Sequence, residues 1–317
     1  MSLPNGKKVV VIGGGTGMPV LLRGLKKQPI DISAIVTVAD DGGSSGRLRS
    51  ELEIPAPGDI RNVIAALSDV EPMLMDLFQH RFSKGNGLSG HSMGNLLLAA
   101  MTSVTGDFYN GIKEISRVLN VKGNIYPIAN QNMSLHAEYE DGDIVAGESN
   151  IPKANKRIKR VFLEPNPVVP LPEAISAIKD ADLVVIAPGS LYTSILPNLI
   201  VPQIEAALRQ TTAKVVYVCN VMTQAGETSH YTAADHVEAI MDHIGTGCIQ
   251  TVIVHNEEIA KDVQMVYAEE NAEPVKSDIE KLRQMDLDII EEDIVKEQNH
   301  SLRHDKDKIA NVLYSLL

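Results

Sequence analysis

The 317-residue chain has no tryptophan, four phenylalanines and two cysteines. Two cysteines in a chain of this length exclude a disulfide framework and fit a reducing compartment. No apolar run approaches the ~20 residues that a membrane-spanning helix needs, and the N-terminal MSLPNGKK lacks the apolar core of a signal peptide. We therefore expect a cytoplasmic protein without membrane insertion.

Basic residues are also scarce. The chain has 29 Lys and Arg against 41 Asp and Glu, which gives a net charge of −12. Proteins that bind duplexes neutralise phosphates with Lys and Arg, so this balance argues against nucleic acid as a partner. A small anionic ligand held by a local positive site stays open. Hydrophobic residues make up 44% of the chain, which is sufficient for a sizeable core.

Five short runs rich in Val and Ile are typical of buried parallel strands, because both of their faces are apolar. They are Lys8–Ile12, Ala34–Ala39, Asp182–Ala187, Lys214–Cys219 and Thr251–His255. Helical patterns lie between them, at Asp59–Leu67, Ser92–Val104, Gly111–Leu119, Pro172–Lys179, Ile200–Arg209, Ala233–Ile244 and Asp305–Leu316. This alternation predicts a single α/β domain over residues 1–317, Rossmann-like and doubly wound, with a mainly parallel sheet and helices on both faces.

The middle of the chain departs from this alternation. Between residues 124 and 162, polar and apolar residues alternate around Asp141-Gly142. Asp-Gly between alternating segments is typical of a β-hairpin turn. We expect an inserted β-hairpin region within the α/β domain.

The first candidate site is the glycine turn in VVVIGGGTGM, Val9–Met18. Four glycines occupy the five positions 13–17, but the dinucleotide fingerprint G-x-G-x-x-G fails because its third glycine position is Met18. A turn between a strand and a helix presents backbone N–H groups and a helix N-terminus to an anion. The alternative is a tight turn without a ligand. We favour an anion site made by Gly14, Gly15, Thr16 and Gly17.

The second candidate is the carboxylate pair Asp40 and Asp41, which follows the second predicted strand. Asp40 lies 23 positions after Gly17, which leaves a ribose contact and NAD open. An adjacent pair can also hold Mg²⁺, or accept hydrogen bonds from sugar hydroxyls. The alternative is a solvated Asp-Gly turn. Because both turns leave the same sheet edge, we favour a ligand or metal role for the pair.

A third candidate follows the strand Asp182–Ala187, where Gly189 and Ser190 open a helix. Ser190, Thr193 and Ser194 supply hydroxyl groups, and the turn supplies N–H donors. This arrangement predicts either a second anion site or simple capping of the helix by Ser190, and the sequence does not separate the two.

Further polar segments complete a predicted crevice, because loops at the carboxyl ends of parallel strands converge. Asn220 and Gln224 follow the strand Lys214–Cys219. Ser92 and Asn95 begin a predicted helix, at which Ser92 also fits the N-cap. Asp59 is expected to cap the helix that it begins.

Taken together, these motifs resemble the gluconeogenesis factor family. The chain carries, in this order, IGGGTGMPVLLRGL, VTVADDGGSSGRLR, PAPGDIRNVIAAL, GHSMGNLLLAA, APGSLYTSILPNL and CNVMTQAGET, and the resemblance runs from Val9 to the C-terminal HSLRHD. The family is similar in fold to 2-phospho-L-lactate transferase. The resemblance implies a cytoplasmic bacterial protein that is needed for growth on gluconeogenic carbon sources and for cell shape. It also implies binding of UDP-N-acetylglucosamine.

Some site residues follow from the resemblance alone. Tyr267 in VYAEEN and Arg303 in SLRHD look like the pair that meets the uracil base, by stacking and hydrogen bonding. Asn198, in the APGSLYTSILPNL motif, joins the ligand-binding set. The transferase relatives use Mg²⁺ to move a phospholactyl group onto a deazaflavin, and Thr16 with Asp40–Asp41 matches their diphosphate and metal region. A chain without tryptophan offers a deazaflavin few stacking surfaces.

Three functions compete at this point. The first is a regulatory protein that binds a nucleotide sugar and presents a changed surface to proteins of cell-wall synthesis. The second is a Mg²⁺-dependent transferase that acts on a nucleotide-diphosphate-linked substrate. The third, an NAD oxidoreductase, ranks last because the third glycine is missing. No catalytic residue is identified, no cofactor besides the candidate Mg²⁺ is implied, and a homodimer is left open.

Overall fold

The computed structural model describes residues 6–298 and 301–317. Residues 1–5, part of the segment predicted to lack a signal-peptide core, lie outside that description. The strands are β1 (Lys7–Gly13), β2 (Ile30–Val36), β3 (Asn124–Pro127), β4 (Ser134–Tyr139), β5 (Ile144–Ala146), β6 (Ile158–Glu164), β7 (Leu183–Ile186), β8 (Lys214–Val218), β9 (Thr251–His255), β10 (Asp288–Glu292), β11 (Val295–Gln298) and β12 (Ser301–His304).

The α-helices alternate with these strands. They are α1 (Gly17–Leu25), α2 (Gly43–Leu52), α3 (Gly58–Leu67), α4 (Pro72–Gln79), α5 (Met93–Thr105), α6 (Phe108–Val118), α7 (Pro172–Lys179), α8 (Leu196–Leu199), α9 (Pro202–Gln210), α10 (Ala233–Ile244), α11 (Lys261–Glu269), α12 (Ile279–Arg283) and α13 (Lys306–Tyr314). Within the described ranges, each helix is too short or too polar to span a bilayer.

Seven strands form the central sheet, in the order β10-β9-β8-β7-β1-β2-β3. All six pairings between them are parallel. In chain order, β2 and then β3 are added on one side of β1. The chain then returns to the other side of β1, where β7 pairs with it and β8, β9 and β10 follow outward. This reversal places the topological switch point between β1 and β7, where the carboxyl ends of strands in doubly wound sheets form a crevice. The predicted α/β class is confirmed.

The core lies in the middle of this sheet. Val10, Val11 and Ile12 of β1 are fully buried, and so is every residue of β7. Strands that are covered by helices on both faces have apolar side chains on both faces. The resulting continuous apolar runs make such strands recognisable in the sequence. Cys219 and Cys248 are buried and free, in agreement with the prediction of no disulfide framework.

The boundaries of the second strand differ from the prediction. The sequence predicts Ala34–Ala39, whereas β2 begins at Ile30 and ends at Val36. Its ladder with β1 ends where Val36 pairs with Gly13. Asp40 consequently lies in a loop four residues beyond the strand rather than at its tip.

The inserted region is antiparallel, as predicted. Strands β4, β5 and β6 form a separate sheet in the order β5-β4-β6, and the chain turns between β4 and β5 at Asp141-Gly142. The predicted start at residue 124 is wrong, because Asn124–Pro127 is β3 and pairs in parallel with β2. The antiparallel part therefore begins at Ser134, and β6 extends it to Glu164.

The C-terminal segment folds back over the switch point. Strands β11 and β12 form an antiparallel hairpin, and α13 packs closely on α1. A Cβ atom on Gly24 would lie 1.9 Å from the Lys306 carbonyl oxygen, so this helix contact requires glycine. Lys27 Nζ lies 2.6 Å from Asp307 Oδ1, and this ion pair links the segment after α1 to α13. The hairpin is thereby held above the carboxyl ends of β1 and β7.

Candidate functional site

A cavity of about 420 Å³ occupies the switch point. Its floor is the turn after β1 together with the turn after β7, and its roof is α11 with the β11–β12 hairpin. The predicted site residues that line it are Thr16, Gly17, Gly189, Ser190, Asn220, Gln224, Tyr267 and Arg303. The fold thus brings together residues from near both ends of the chain, such as Thr16 and Arg303.

The first turn ends in a helix N-terminus with no side-chain cap. Helix α1 begins at Gly17, and the hydroxyl of Thr16 at the N-cap makes no capping hydrogen bond. The first N–H groups of a helix have no partner within the helix, so those of Gly17 and Met18 are available to an anion. Thr16 and Gly17 line the cavity at this point.

The two glycine turns touch directly. A Cβ atom on Gly17 would lie 2.2 Å from the Pro188 carbonyl oxygen, a distance that no side chain tolerates. Only glycine at this position lets the turn after β1 approach the turn after β7. The two turns therefore form one continuous floor for a ligand.

Ser190 does not cap a helix. The chain after it is a π-helical turn, Leu191–Ile195, and the Ser190 side chain makes no capping hydrogen bond. The Ile195 N–H instead donates to the Ser190 carbonyl oxygen at 3.0 Å. The capping alternative for Ser190 is thus wrong, and its hydroxyl lines the cavity. Isolated π-turns are frequent at functional sites.

Asn220 holds the second turn in place. Its Oδ1 accepts from the Gly189 N–H at 3.0 Å, and its Nδ2 donates to the Gly189 carbonyl oxygen at 2.7 Å. This amide–peptide pair locks Gly189 against the end of β8. Asn220 lines the cavity, but its amide already has protein partners.

A buried carboxyl, Glu227, supports the same turn from below. It accepts from the Tyr192 N–H at 3.2 Å, the Thr193 hydroxyl at 2.9 Å and the Gln224 amide at 3.0 Å. Burial raises the pKa of Glu227 to about 7. The sequence does not indicate this role of Glu227, because only the fold brings the three donors together.

The remaining residues of the APGSLYTSILPNL motif are buried beneath the cavity. Thr193, Ser194 and Asn198 are each at most 3% exposed. The Asn198 amide donates to the Gly13 carbonyl oxygen at 3.1 Å and to that of Ser194 at 2.9 Å. These positions suit support of the two turns, and direct ligand contact by them stays a prediction.

Asp59 occupies one of the backbone N–H donors of the first turn. Its Oδ2 accepts from the Gly15 N–H at 2.8 Å, so that donor is used by the protein rather than offered to a ligand. The prediction that Asp59 caps α3 is wrong, because Pro57 is the N-cap and Asp59 makes no capping bond. Burial, followed by the nearby Asp40 charge, raises the pKa of Asp59 to about 6. Gly14 must be glycine here, since a Cβ would lie 2.6 Å from Asp59 Oδ2.

Asp40 and Asp41 belong to an adjoining acidic cluster with Asp59 and Glu148. Asp41 Oδ1 accepts from the Ser149 N–H at 2.9 Å, which fixes the inserted sheet to the α/β domain. The Glu148 carboxyl hydrogen-bonds to Asp40, and burial, then the charges of Asp40 and Asp59, raises the pKa of Glu148 to about 9. Glu148 was missed because it approaches Asp40 only through the fold.

The acidic cluster contains the carboxyls predicted to bind Mg²⁺. In residues 6–298 and 301–317, no three His, Cys, Asp or Glu side chains are arranged to hold an ion. Asp41 Oδ1 accepts from Ser149 and Asp40 Oδ1 accepts from the Gly42 N–H at 2.8 Å, so the Mg²⁺ role of these two carboxyls stays a prediction. The carboxyls of Asp40 and Glu148 are a second pair that could take Mg²⁺ jointly with a ligand phosphate. Carboxylate oxygens are the donors that a hard cation such as Mg²⁺ prefers.

Ser92 and Asn95 lie deeper. Ser92 caps α5 by accepting from the Asn95 N–H at 3.3 Å, as the sequence indicates. The Asn95 amide donates to Ser44 Oγ at 3.1 Å. Both residues are buried and neither lines the switch-point cavity, so their ligand contact stays a prediction.

Tyr267 and Arg303 face the glycine turns from the roof of the cavity. The Tyr267 hydroxyl accepts from the Leu302 N–H at 3.0 Å and donates to its carbonyl oxygen at 3.2 Å. The ring is therefore fixed against β12, which also carries the exposed guanidinium of Arg303. No local pattern in the sequence marks either residue, and only the resemblance identified them.

Stability is expected to depend on pH through Glu227. Its pKa of about 7 exceeds the usual 4.5, so the native state retains a proton that the unfolded state releases. The free energy of unfolding should therefore fall by roughly 3 kcal/mol through this group as pH rises from about 4.5 to about 7. Urea denaturation across this range should give a flatter dependence in Glu227→Gln than in the wild type. Glu280→Gln, at an exposed carboxyl, is the control, and identical slopes in Glu227→Gln and the wild type would contradict the assignment.

Comparisons with known proteins agree with this architecture. A family model described as 2-phospho-L-lactate transferase CofD matches residues 9–295. The chain is 60% identical over 310 residues to a gluconeogenesis factor of Bacillus subtilis, with 98% of each chain covered. It is 60% identical over 307 residues to one of Halalkalibacterium halodurans, covering 97% of this chain and 95% of the other. An X-ray structure of a Bacillus halodurans protein, 60% identical, superposes with a TM-score of 0.97 over 98% of this chain and 100% of its own.

Proposed function

We propose that this chain, which belongs to the gluconeogenesis factor family, is a regulatory protein that binds a nucleotide sugar of the UDP-N-acetylglucosamine type in the switch-point cavity. The relatives' name, gluconeogenesis factor, supports a role in growth on gluconeogenic carbon sources. The nature of the ligand and a role in cell shape are our proposals.

One observation carries the proposal. Two uncapped turns meet at the Gly17–Pro188 contact and form one floor, while Tyr267 and Arg303 lie on the roof of the same cavity. The floor suits a diphosphate, because it combines helix N–H donors with the Ser190 hydroxyl. The roof suits a base, because an aromatic ring can stack on it and a guanidinium can bond its edge. A nucleoside diphosphate needs both surfaces within one cavity.

The character of the cavity favours binding over turnover. Its floor presents hydroxyls, amides and backbone groups. Burial lowers the pKa of its buried imidazole, His304, to about 4, which makes this group a weak base at pH 7. Such a lining recognises a ligand without supplying a nucleophile that an adjacent base activates.

The roof also suggests how a ligand would be sensed. Helix α11 and the β11–β12 hairpin contribute Tyr267 and Arg303, and both elements form part of the protein surface. A nucleotide between floor and roof would fix their arrangement. We propose that proteins of cell-wall synthesis recognise this ligand-dependent surface, and that light scattering will decide whether the protein acts as a homodimer.

The ligand can be tested by titration calorimetry on the full chain. We expect UDP-N-acetylglucosamine and UDP-glucose to bind at one site per chain. GDP and NAD should bind at least tenfold more weakly, because Tyr267 and Arg303 would meet a different base. Failure of every uridine nucleotide to bind at millimolar concentration would refute the proposal.

A second candidate is a Mg²⁺-dependent transferase of a nucleotide-diphosphate-linked group. It is favoured by the Asp40–Glu148 carboxyl pair beside the diphosphate floor and by the family model. Bound there, Mg²⁺ would neutralise charge on a diphosphate leaving group. Conversion of UDP-N-acetylglucosamine by protein with Mg²⁺, abolished in Asp40→Asn, would support this function. An intact ligand after prolonged incubation would count against it.

A further inference from the structure

A second cavity, of about 590 Å³, lies on the far side of Arg303 from the nucleotide cavity. One wall is the outer face of α1, including Val20 and Arg23. The opposite wall is formed by Lys296 of β11, Arg303 of β12 and the first turn of α13. The residues that line both cavities are Thr16, Val20, Arg303 and His304, whereas Arg23, Lys296 and the first turn of α13 line this one and not the nucleotide cavity.

Positive charge dominates the lining in an otherwise acidic protein. The five basic residues of the lining are Arg23, Lys296, Arg303, Lys306 and Lys308, against two acidic residues. Both acids are occupied elsewhere. Asp305 accepts from the N–H groups of Asp307 and Lys308 at 3.0 and 3.1 Å, and Asp307 pairs with Lys27 at 2.6 Å.

Three of the cations have no carboxylate at ion-pair distance among the residues that the structure describes, although Lys296 lies near enough to Asp307 to help lower the pKa of that carboxyl. Lys308 pairs with Asp293, and Lys306 lies 3.9 Å from Asp307. Arg23, Lys296 and Arg303 form no ion pair within the described ranges. Partial burial lowers the pKa of the Arg23 guanidinium. An anion in the cavity would satisfy all three.

The wall that α13 forms against α1 is fixed by two contacts. The Gly24 contact with the Lys306 carbonyl brings the backbones of α1 and α13 together. Gln28 Nε2 donates to Asn311 Oδ1 at 3.0 Å and adds a second fastening. A rigid site loses little free energy to ordering when a ligand binds.

We propose that this cavity binds a small metabolite bearing a phosphate ester or diphosphate, separately from the nucleotide. Three converging cations match a compact anion with two or more charges, and the guanidinium of Arg23 can grip a phosphate with two hydrogen bonds. The volume admits more than an inorganic ion. The part of this proposal that involves Arg303 rests on the proposed nucleotide function, because Arg303 lines both cavities, whereas the part that involves Arg23 and Lys296 does not.

Inorganic pyrophosphate is a suitable probe for calorimetry on the full chain. We expect it to bind at millimolar or lower concentration. Arg23→Gln and Lys296→Gln should each weaken it roughly tenfold, as expected for loss of a hydrogen bond to a charged group. Arg117→Gln removes the same charge on α6, remote from the cavity, and should leave the affinity unchanged. Absence of binding, or equal affinity in Arg23→Gln and wild type, would overturn the proposal.

Uridine diphosphate separates the two sites. Arg23→Gln should weaken pyrophosphate but not uridine diphosphate, whereas Arg303→Gln should weaken both. Equal weakening of both ligands by Arg23→Gln would indicate one continuous site and overturn the proposal of a separate one. If uridine diphosphate fails to bind while Arg23→Gln still weakens pyrophosphate, the nucleotide function fails and the second site stands. Thermal melts confirm that each variant is folded.

Discussion

Gly17→Ala should reduce the affinity for a uridine nucleotide by on the order of 100-fold or more. The new methyl group would lie 2.2 Å from the Pro188 carbonyl oxygen and 2.8 Å from its carbonyl carbon. Both are backbone atoms, so the turns after β1 and β7 must separate. The diphosphate floor, with its Gly17 N–H and Ser190 hydroxyl, would then no longer converge on one anion. Calorimetry with uridine diphosphate measures the loss.

A matched variant separates lost binding from lost stability. Overpacking at Gly17 should also cost roughly 1–3 kcal/mol of unfolding free energy. Gly111→Ala introduces a methyl group 3.1 Å from the Thr102 nitrogen, between α5 and α6 and outside the cavity. It changes the packing of α5 on α6 and should leave nucleotide affinity unchanged. Wild-type affinity in folded Gly17→Ala would show that the two turns do not bind the ligand together.

Tyr267→Ala should weaken uridine diphosphate by roughly 10- to 100-fold, because stacking of a base on an aromatic ring contributes about 1–3 kcal/mol. The substitution also leaves the N–H and carbonyl groups of Leu302 without the hydroxyl that binds them. Fluorescence or calorimetric titration measures the change in affinity.

Tyr267→Phe identifies which part of the side chain matters. It keeps the ring and removes the hydrogen bonds to Leu302, so its affinity should fall between those of the wild type and Tyr267→Ala. Pyrophosphate has no base, and its affinity in Tyr267→Ala should equal that of the wild type. Wild-type uridine diphosphate affinity in Tyr267→Ala would exclude the roof as the base site.

The centre of the fold could be predicted because buried parallel strands have a simple signature. Thr251–His255 has the same bounds in sequence and structure, and Val9–Ile12 is buried throughout. The edge strands β3 and β10 are not predicted from the sequence. Their sequences, NIYP and DIIEE, are short and contain polar residues. They therefore lack the continuous apolar run by which a central strand is recognised.

The site residues likewise fall into a group that the sequence predicts and a group that only the fold reveals. Turns such as Gly13–Gly17 and Gly189–Ser190 are local, because a strand, glycines and a helix follow one another in the chain. Asp59, Glu148 and Glu227 act on partners that the fold brings close, 44 residues apart for Asp59 and Gly15. A carboxyl in a loop has no sequence signal for such pairing, and an N-cap was the simplest local expectation for Asp59.

A co-crystal structure with UDP-N-acetylglucosamine would show directly where the nucleotide binds. We expect the diphosphate on the N–H groups at the start of α1 and on the Ser190 hydroxyl. We expect the uracil between Tyr267 and Arg303, and the sugar toward Asp40. A nucleotide bound at any other place on the protein, with the switch-point cavity holding only water, would contradict the proposal.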